Sequence, residues 1–393
     1  MLELILAGIL FTLFPVHFGL LFFLSFRKTP KTRGNILPSV SILIPVLDEE
    51  KVIGNAIETL LKCDYPQDKM EIIVIASGST DRTVEICEKY SSRGSVKVLT
   101  KTLKKRGKPA ALNLGLSSAK NNVLVIYDAD SIVRPSSLRA LVEPLGRPEV
   151  AAVVGPVGMI NDNENILTRS TSLEFAWLFK SSELRERLGL LVPFSGSNRC
   201  FRKKVLEELG GFDEDSLVED LDLSVRLAQR GGLMVFSPRA MIQEEAIASW
   251  RVHSRQRERW MAGTRESLKK LMPRAKVRIK LGLLLSIFHA MLPIWMIFSL
   301  ISLPIFFVAQ ASLFAACALL TFFLGLGLLI ISMNDYGKKR FSYLTYIPVW
   351  AALAFYATLT KPFKRVDVWI RTEKRGKYTK QESALHLQEK TPN

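Results

Sequence analysis

Short apolar runs alternate with amphipathic stretches over the chain between residues 39 and 250. Runs rich in Ile, Val and Leu predict β-strands, and the segments between them have the spacing of helices that cover a sheet. This order is typical of an α/β domain with a mostly parallel, Rossmann-like sheet. The predicted strands are residues 39–44, 71–76, 96–99 and 122–127, and the predicted helices are residues 50–62, 80–90 and 108–118.

Two longer apolar blocks flank this region and are long enough to cross a membrane. Residues 4–26 contain no charged side chain apart from His17, and roughly 20 apolar residues suffice for a bilayer core. Basic residues follow this block instead of preceding it, which favours an uncleaved anchor with its carboxyl end in the cytoplasm. Residues 279–333 predict two more spanning helices, with a turn near Pro304 or Gln310.

A last apolar segment, residues 343–360, is marginal in length and contains Pro348. If it spans the membrane, the basic tail beyond it lies outside, whereas the positive-inside bias places that tail in the cytoplasm. We therefore expect a short, tilted or re-entrant segment. The whole pattern predicts a multi-pass protein of the cell membrane, made of an anchor (residues 1–33), a cytoplasmic domain (34–278), carboxyl-terminal transmembrane helices (279–362) and a basic tail (363–393).

The formal net charge of +17 raises the question of a nucleic-acid partner. Many of the Lys and Arg residues lie beside the apolar blocks instead of forming one face of a compact module. Juxtamembrane charge that faces anionic lipid accounts for this placement, so we expect the lipid bilayer, and no nucleic acid, as a partner. The four cysteines have neither metal-site spacing nor a paired pattern, which favours a reducing compartment.

Acidic side chains follow several predicted strands at the carboxyl edge of the sheet. Asp48 and Glu49 come after the first strand, Asp81 after the second, and Asp128 and Asp130 after the fourth. Any one of them could simply stabilise a turn. Ligands of open α/β sheets gather at this edge, however, so the set predicts a shared binding site.

Two further clusters lie later in the chain. Glu219 and Asp220 precede an amphipathic run, where an Asp is also a common amino-terminal cap of a helix. Gln256 and Trp260 are four residues apart with Arg259 beside them, so one face of a helix carries all three. The simpler alternative is an amphipathic helix at the membrane interface, where Arg and Trp are common.

Taken in order, these motifs resemble those of inverting family 2 glycosyltransferases with the GT-A fold. The resemblance covers residues 39–262 and points to the membrane-integrated branch that includes cellulose, hyaluronan and poly-N-acetylglucosamine synthases and ceramide glucosyltransferase. Asp48 is a departure, because the family usually has Asn at this position. The matching segments are residues 44–49, 76–83, 106–113, 127–130, 194–198, 210–213, 218–220 and 256–260.

The resemblance implies a site for a nucleotide sugar and a divalent cation. Glu49 and Asp81 would accept hydrogen bonds from the nucleobase and ribose, and Lys108 would lie near the base and phosphates. Asp130 would bind Mg²⁺ or Mn²⁺ directly, with Asp128 beside it. If this acidic segment is extended, its alternation places both carboxylates on one side, facing the same ion. The cation would stabilise the departing nucleoside diphosphate as a Lewis acid.

The same resemblance makes Asp220 the catalytic base, which would take a proton from the acceptor hydroxyl. Asp222 is the competing candidate. Glu219 would contribute to the substrate site, with its side chain pointing away from Asp220 if the segment is extended.

The remaining implied contacts involve the acceptor and the diphosphate. Arg259 and Arg257 would contact the diphosphate, while Trp260 would stack on the acceptor sugar, with Gln256 on the same helical face. The small residues of segment 195–198 would form an acceptor loop near the base, and an ordinary turn is the alternative. The members of this loop expected to bind substrate are Ser197 and Asn198.

These inferences predict a metal-dependent hexosyltransferase that uses a nucleotide-diphosphate sugar, in the first place UDP-hexose or UDP-N-acetylhexosamine. The favoured acceptor is a growing β-linked polysaccharide at the membrane, and a polymer channel could need a second copy of the chain or an accessory membrane subunit. Single transfer to a lipid acceptor, such as a polyprenyl phosphate or a glycolipid, is the main alternative, because three or four helices make a narrow pore. A non-catalytic nucleotide-sugar sensor with the same fold is a third hypothesis.

Overall fold

The computed structural model describes residues 2–26, 37–92, 94, 96–105, 107–309, 311–336, 341–360, 374 and 376, and for residues 2–12, 341, 355 and 357–360 it describes the backbone alone. The helices are α1 (Leu2–Ser25), α2 (Ile53–Leu61), α3 (Thr83–Ser91), α4 (Lys108–Ser118), α5 (Ser137–Val142), α6 (Ile166–Arg187), α7 (Lys203–Glu208), α8 (Glu219–Gln229), α9 (Trp250–Leu271), α10 (Val277–Ala290), α11 (Leu292–Val308), α12 (Ser312–Tyr336) and α13 (Ile347–Thr360). The strands are β1 (Val40–Pro45), β2 (Met70–Ile75), β3 (Val96–Leu99), β4 (Val123–Ile126), β5 (Ile132–Val133), β6 (Val150–Val154), β7 (Val157–Met159), β8 (Arg199–Arg202), β9 (Leu233–Phe236) and β10 (Ile242–Glu244).

The main sheet has the strand order β3-β2-β1-β4-β8-β6-β9. The first four of these strands run parallel to one another, and β6 runs parallel to β9, whereas β8 lies antiparallel between β4 and β6. The four strands predicted from apolar runs are therefore correct and lie side by side. Strands of a parallel sheet are buried on both faces, which is why they appear in the sequence as continuous runs of Ile, Val and Leu.

A second, three-stranded sheet has the order β5-β10-β7. Its central strand β10 pairs antiparallel with β5 and parallel with β7. Because β5 follows soon after β4 in the chain, this small sheet brings the end of β10 beside the acidic segment 128–130.

The helix α6 was not predicted, although it is central to the architecture. Asn165 caps it by accepting hydrogen bonds from the backbone N–H groups of Leu167 (2.9 Å) and Thr168 (3.0 Å), while Thr168 Oγ1 accepts one from Asn165 N (3.0 Å). This reciprocal arrangement is a capping box and satisfies N–H groups at the helix start. The helix then contacts β7, β9, α12 and α13, so it joins the sheet domain to the apolar helices.

The apolar helices form a bundle in which α12 packs against α1 and α11, and α11 packs against α13. Ionic contacts connect this bundle to α6. Lys180 Nζ donates to Glu183 Oε2 (2.9 Å) and Asp335 Oδ2 (2.7 Å), and the Tyr336 hydroxyl donates to the same Glu183 oxygen (2.7 Å). A buried charge that loses its partner costs free energy. The cluster therefore favours this one arrangement of the sheet domain against the helical bundle.

The apolar helices differ in whether their length and composition would allow them to cross a membrane. Within the described residues α12 alone has the length and apolar composition to cross a bilayer; α10 and α11 qualify only as a pair, and they are bent by 61°. Residues 279–333 were expected to form two helices, and they belong to three, because the chain also breaks at Met291. Pro304 lies inside α11 and makes no turn. The alternative position is correct, because α11 ends at Val308 and α12 begins at Ser312; Gln310 itself lies outside the described residues.

The carboxyl-terminal helix α13 has 14 residues, or about 21 Å of helix length. A bilayer core is roughly 30 Å thick, so this helix has the length expected of a short final segment. Of the predicted basic tail, only Lys374 and Gly376 belong to the described residues.

Candidate functional site

The loops after β1 and β2 are tied together by Asp48. Its backbone is left-handed (φ 52°), a conformation that Asp tolerates better than most residues. Its Oδ1 accepts hydrogen bonds from the backbone N–H groups of Thr80 (2.6 Å) and Asp81 (3.3 Å). Asp48 therefore holds two strand-end loops together, a role that the side-chain oxygen of Asn would fill equally well.

Glu49 and Asp81 are neighbours at this edge and share a contact with Thr83. Thr83 Oγ1 accepts a hydrogen bond from Glu49 N (2.7 Å) and donates to Asp81 Oδ1 (2.5 Å). Asp81 Oδ1 also accepts from Thr83 N (2.9 Å). The backbone of Glu49 thus lies near Asp81, and the contacts of the two carboxylates with nucleobase and ribose stay predictions.

Lys108 begins α4 and is the cationic centre of the site. Its Nζ donates to Asp128 Oδ1 (2.5 Å) and to the Gly196 carbonyl (2.7 Å), and it lies 3.9 Å from Glu219 Oε1. Burial works to lower the pKa of Lys108, but the negative charges of Asp128 and Glu219 outweigh it and raise the pKa overall. The lysine therefore stays charged and joins three loops that are far apart in sequence.

Asp220 lies in the first turn of α8, close to this lysine. Its Oδ1 accepts a hydrogen bond from Leu221 N (2.8 Å), and a Cβ atom at Gly196 would lie 3.7 Å from its Oδ2 and 3.3 Å from Lys108 Nζ. Burial, and after it the charge of Glu219, raises the pKa of Asp220 against the lowering effects of Arg199 and Lys108. A carboxylate whose pKa is raised is a stronger base, which suits proton abstraction.

The local geometry around Asp220 differs from the expectation in one respect. Glu219 and Asp220 are helical rather than extended, and the residue at the amino-terminal cap position is Val218. Neither the extended geometry nor the capping alternative is therefore correct. Glu219 turns instead toward the fully buried Arg199 on β8, whose Nη2 donates to its Oε1 (2.9 Å).

Asp222, the competing candidate for the base, has a structural contact. Its side chain is 2% exposed and its Oδ2 accepts a hydrogen bond from Arg226 Nε one turn later, at 2.6 Å. This carboxylate is buried and already engaged by Arg226, so it is shielded from an acceptor hydroxyl. The geometry therefore favours Asp220.

The acidic segment after β4 is a turn, since Ser131 N donates to the Asp128 carbonyl at 3.1 Å. The expectation that Asp128 and Asp130 face the same side of an extended segment is therefore wrong. Asp128 turns toward Lys108. Asp130 is buried, and its Oδ2 accepts hydrogen bonds from Glu245 N (2.9 Å) and from Lys374 Nζ (2.6 Å).

The surroundings of Asp130 fit a hard divalent cation. Burial, followed by the charges of Asp130 and Asp128, raises the pKa of Glu244 to about 8. Lys374 places an ammonium group on this cluster, so a positive charge is already accommodated there. Oxygen ligands of this kind suit Mg²⁺ or Mn²⁺.

Protein side chains by themselves would not complete the coordination of the cation. In the described part of the chain, no three His, Cys, Asp or Glu side chains converge in a way that could hold a metal ion. Mg²⁺ is commonly bound by one or two carboxylates together with substrate phosphates and water. Asp130, with or without Asp128, can supply the protein's share, and the direct ligation stays a prediction.

Sequence reasoning missed Glu244 and Lys374. Glu244 ends a three-residue strand, too short to show a periodic pattern. Lys374 is one of many basic residues in the carboxyl-terminal tail, and no local signal distinguishes it from its neighbours.

The expected acceptor loop lies directly beside the acidic turn. Ser197 Oγ accepts a hydrogen bond from Asp128 N (3.1 Å). Asn198 is fully buried with a left-handed backbone (φ 54°), and its Nδ2 donates to the carbonyls of Pro156 (2.8 Å) and Ala240 (2.7 Å). The contacts of Asn198 are thus with the protein interior, where they shape the loop, and substrate binding by both residues stays a prediction.

Gln256, Arg257, Arg259 and Trp260 lie on the predicted helix, α9. Arg257 makes a two-point contact with Glu174 of α6 (2.6 Å for each hydrogen bond), and its guanidinium lies 4.6 Å from the centre of the Trp260 ring. Arg259 Nη1 donates to the Leu217 carbonyl (2.9 Å), three residues before Asp220. This helix is therefore anchored to the loop that precedes the proposed base, and the diphosphate contacts of the two arginines stay predictions.

The chain is similar in sequence to several glycosyltransferases. The probable glycosyltransferase YdaM of Bacillus subtilis (strain 168) is 30% identical over 95% of this chain and 96% of that protein. Two relatives match the chain over about half of their own length: the beta-monoglucosyldiacylglycerol synthase of Nostoc sp. (31% identity, 60% of this chain, 51% of that protein) and the poly-beta-1,6-N-acetyl-D-glucosamine synthase of Staphylococcus aureus (strain COL) (28%, 62% and 59%).

A solved structure has the same fold. The mannosyltransferase PcManGT from Pyrobaculum calidifontis, in complex with GDP-Man and Mn²⁺, aligns with a TM-score of 0.57 and 22% identity, over 91% of this chain and 98% of that chain. Residues 38–263, the sheet domain with most of α9, match the family model described as glycosyltransferase like family 2. With that match and a relative similar over nearly its whole length, the chain belongs to glycosyltransferase like family 2.

Proposed function

We infer that this glycosyltransferase catalyses the inverting transfer of a hexose from a nucleotide sugar, with Asp220 as the base. The observation that carries the proposal is the position of Asp220 at the start of α8, oriented by Leu221 N and with its pKa raised. Asp222, the other nearby candidate, is held by Arg226.

In this reaction Asp220 takes the proton of the acceptor hydroxyl. The acceptor oxygen forms a bond to the anomeric carbon as the bond from that carbon to the diphosphate oxygen breaks, and the nucleoside diphosphate leaves with the electron pair. Lys108 holds positive charge beside Asp128 and the Gly196 loop, where it favours an anionic donor. A divalent cation at Asp130 would supply Lewis-acid stabilisation of the leaving group.

The acceptor is a polysaccharide or a lipid, since both product classes occur in the names of the relatives. For the location we propose that α1, the bent pair α10 and α11, and α12 lie in a membrane, with the sheet domain on the cytoplasmic side. The apolar composition of α12 and of the bent pair supports this arrangement. Asp130, Asp220 and Trp260 are all present, which favours an enzyme over a nucleotide-sugar sensor.

Replacement of Asp220 by Asn tests the assignment. We expect transfer, measured as nucleoside diphosphate release with a panel of UDP- and GDP-sugars, to fall by about 10²–10⁴-fold. Donor binding should stay close to that of the wild type, because the amide keeps the shape of the carboxylate. Asp215→Asn is the matched control, since Asp215 is exposed and pairs with Lys105 at 2.7 Å. Retention of most activity by Asp220→Asn would make the assignment wrong.

A further inference from the structure

Arg199 is a buried cation at the start of β8. Its side chain is fully buried, and its backbone pairs with Ile126 of β4 and with Val154 of β6 in the middle of the main sheet. Ile126 ends β4 and precedes Asp128 by two residues. The side chain of Arg199 therefore starts from a rigid position at the edge of the sheet where the candidate site lies.

The guanidinium of Arg199 is held by a carboxylate and two aromatic rings. Its Nη2 donates to Glu219 Oε1 (2.9 Å), and its central carbon lies 5.9 Å from the centre of the Phe201 ring and 5.7 Å from that of Phe212. Ring faces attract a cation at such distances. Its Nε and Nη1 have no hydrogen-bond acceptor within the described part of the chain. The charge of Arg199 is thus directed at Glu219.

Stability of the fold does not account for this arrangement. A buried ion pair loses its hydration, and well-packed apolar side chains in its place are often as stable or more stable. Buried nitrogen atoms without an acceptor add to the cost. Local costs of this kind concentrate at functional sites, and Glu219 is the residue next to Asp220 in the first turn of α8.

Glu219 lies between two cations that have different surroundings. Lys108 Nζ is 3.9 Å from the same Oε1, and it also donates to Asp128 and to the Gly196 carbonyl. In the proposed function an anionic donor binds beside Lys108, so this lysine shares its charge with the substrate. Arg199 is fully buried and has no surface to offer the donor, so its hold on Glu219 stays the same when the site fills.

The same charges act on the proposed base. Burial, and then the charge of Glu219, raises the pKa of Asp220, whereas Arg199 and, with a smaller effect, Lys108 lower it. Arg199 therefore offsets the negative charge of Glu219 beside the base. Other charged side chains of α8 and of the helices packed on it contact different groups, and these side chains are Asp222, Arg226, Arg259, Lys270 and Arg278.

We propose that Arg199 is a positioning residue for sugar transfer, which ties Glu219 to the sheet and so fixes the first turn of α8, with Asp220, beside the donor site. The proposal rests on the proposed function, because Arg199 would act through the base. Glu219 is then the link between the sheet and the base.

Arg199→Met removes the charge and keeps a long side chain. We expect kcat for nucleoside diphosphate release by the full chain in nanodiscs to fall by about tenfold or more, because the base is no longer held in place. The KM for the donor should change little, since Arg199 does not reach it. The acidic limb of kcat/KM should move to higher pH by about one unit, because a cation that lowers the pKa of the base is gone. The donor in these assays is the UDP- or GDP-sugar with the fastest release in the wild type.

Two further variants separate charge from shape. Arg199→Lys keeps the charge and should restore a limb close to that of the wild type. The double variant Arg199→Met/Glu219→Gln removes both charges, so their opposite effects on Asp220 cancel and its limb should lie between those of the two single variants. If Arg199→Met alone does not fold, Glu219→Gln and the double variant give the same comparison without an unpaired Glu219.

Arg202→Met is the matched control. Arg202 ends the same strand, and its guanidinium donates to the backbone carbonyls of Leu145, Arg147 and Val150. Its loss should lower the melting temperature without moving the acidic limb.

An unmoved limb with unaltered kcat in folded Arg199→Met would overturn the role of Arg199. An equal shift in Arg202→Met, or failure of Arg199→Lys to restore the limb, would do the same. Activity retained by Asp220→Asn would overturn the proposed base instead, so the failure of each assignment gives a different result.

Discussion

At the scale of single residues, the site depends on charges that tune one carboxylate. Glu219 raises the pKa of Asp220, while Arg199 and Lys108 lower it. Arg199 is buried and paired with Glu219, so these two charges largely balance one another. The basicity of Asp220 is thus set by its neighbours as well as by its burial.

Glu219→Gln should therefore shift the pH dependence of catalysis. A base acts when deprotonated, so activity falls as the pH drops through its pKa. Removing the negative charge of Glu219 lowers the pKa of Asp220, and the acidic limb of kcat/KM should move to lower pH. The measurement is a pH–rate profile of nucleoside diphosphate release.

Glu214→Gln is the control, because it removes a negative charge at an exposed position of the loop before α8. It should leave the acidic limb of kcat/KM unchanged. A thermal melt accompanies the profile, because leaving the buried Arg199 unpaired costs about 3–5 kcal/mol. A limb that stays in place or moves to higher pH in Glu219→Gln would contradict this account of Asp220.

At the scale of elements, α9 packs against the loop before α8, the helix that begins with Asp220 in its first turn. Gly263 permits this contact, since a Cβ atom there would lie 2.8 Å from Val218 Cγ1 and 3.0 Å from Leu217 Cβ. The lack of a side chain, and not backbone freedom, is what the position requires, because the residue lies within a regular helix.

Gly263→Val should force α9 away from this loop. We expect a loss of about 1–3 kcal/mol in the free energy of unfolding, as for other overpacked positions, and a lower kcat in the fraction that stays folded. Chemical denaturation in detergent measures the first effect and single-turnover transfer the second. Lys269→Val, on the exposed side of the same helix, controls for the propensity of Val and should retain activity. Wild-type stability in Gly263→Val would show that the contact is not tight.

At the scale of the whole molecule, a lysine near the carboxyl terminus contacts Asp130 in the sheet domain. Lys374, which follows the last helix of the bundle, reaches a carboxylate near the end of β4, 244 residues earlier in the chain. Its ammonium also donates to the Glu245 carbonyl (2.9 Å), and Gly376 N donates to Glu245 Oε2 (3.0 Å). Lys374 and Gly376 thus contact the acidic residues at the site expected to bind the cation.

Lys374→Met should strengthen binding of Mn²⁺ in the absence of nucleotide, because the ammonium and the cation compete for Asp130. We expect a gain of about tenfold, roughly 1.4 kcal/mol, measured by isothermal titration calorimetry. Lys105→Met removes an exposed lysine from the pair with Asp215 and should leave Mn²⁺ affinity unchanged. Weaker or unaltered Mn²⁺ binding by Lys374→Met would show that the lysine does not compete for the site.

The sequence by itself determined the central strands β1 to β4, the acidic residues at their carboxyl ends and the helix that carries Gln256 and Trp260. Each of these features depends on a short segment of sequence. A strand buried on both faces needs a continuous apolar run, and residues on one face of a helix are four positions apart. The order of the motifs then sufficed to identify the family.

Only the tertiary structure decided which side chains meet. It separated Asp220 from Asp222 through the pair with Arg226, turned Asp128 and Asp130 toward different partners, and brought Lys374 to the second of them. It also paired the buried Arg199 with Glu219. Contacts of this kind depend on how elements far apart in the sequence pack together. The spacing of apolar residues predicts each element but not the geometry of the contact between two of them.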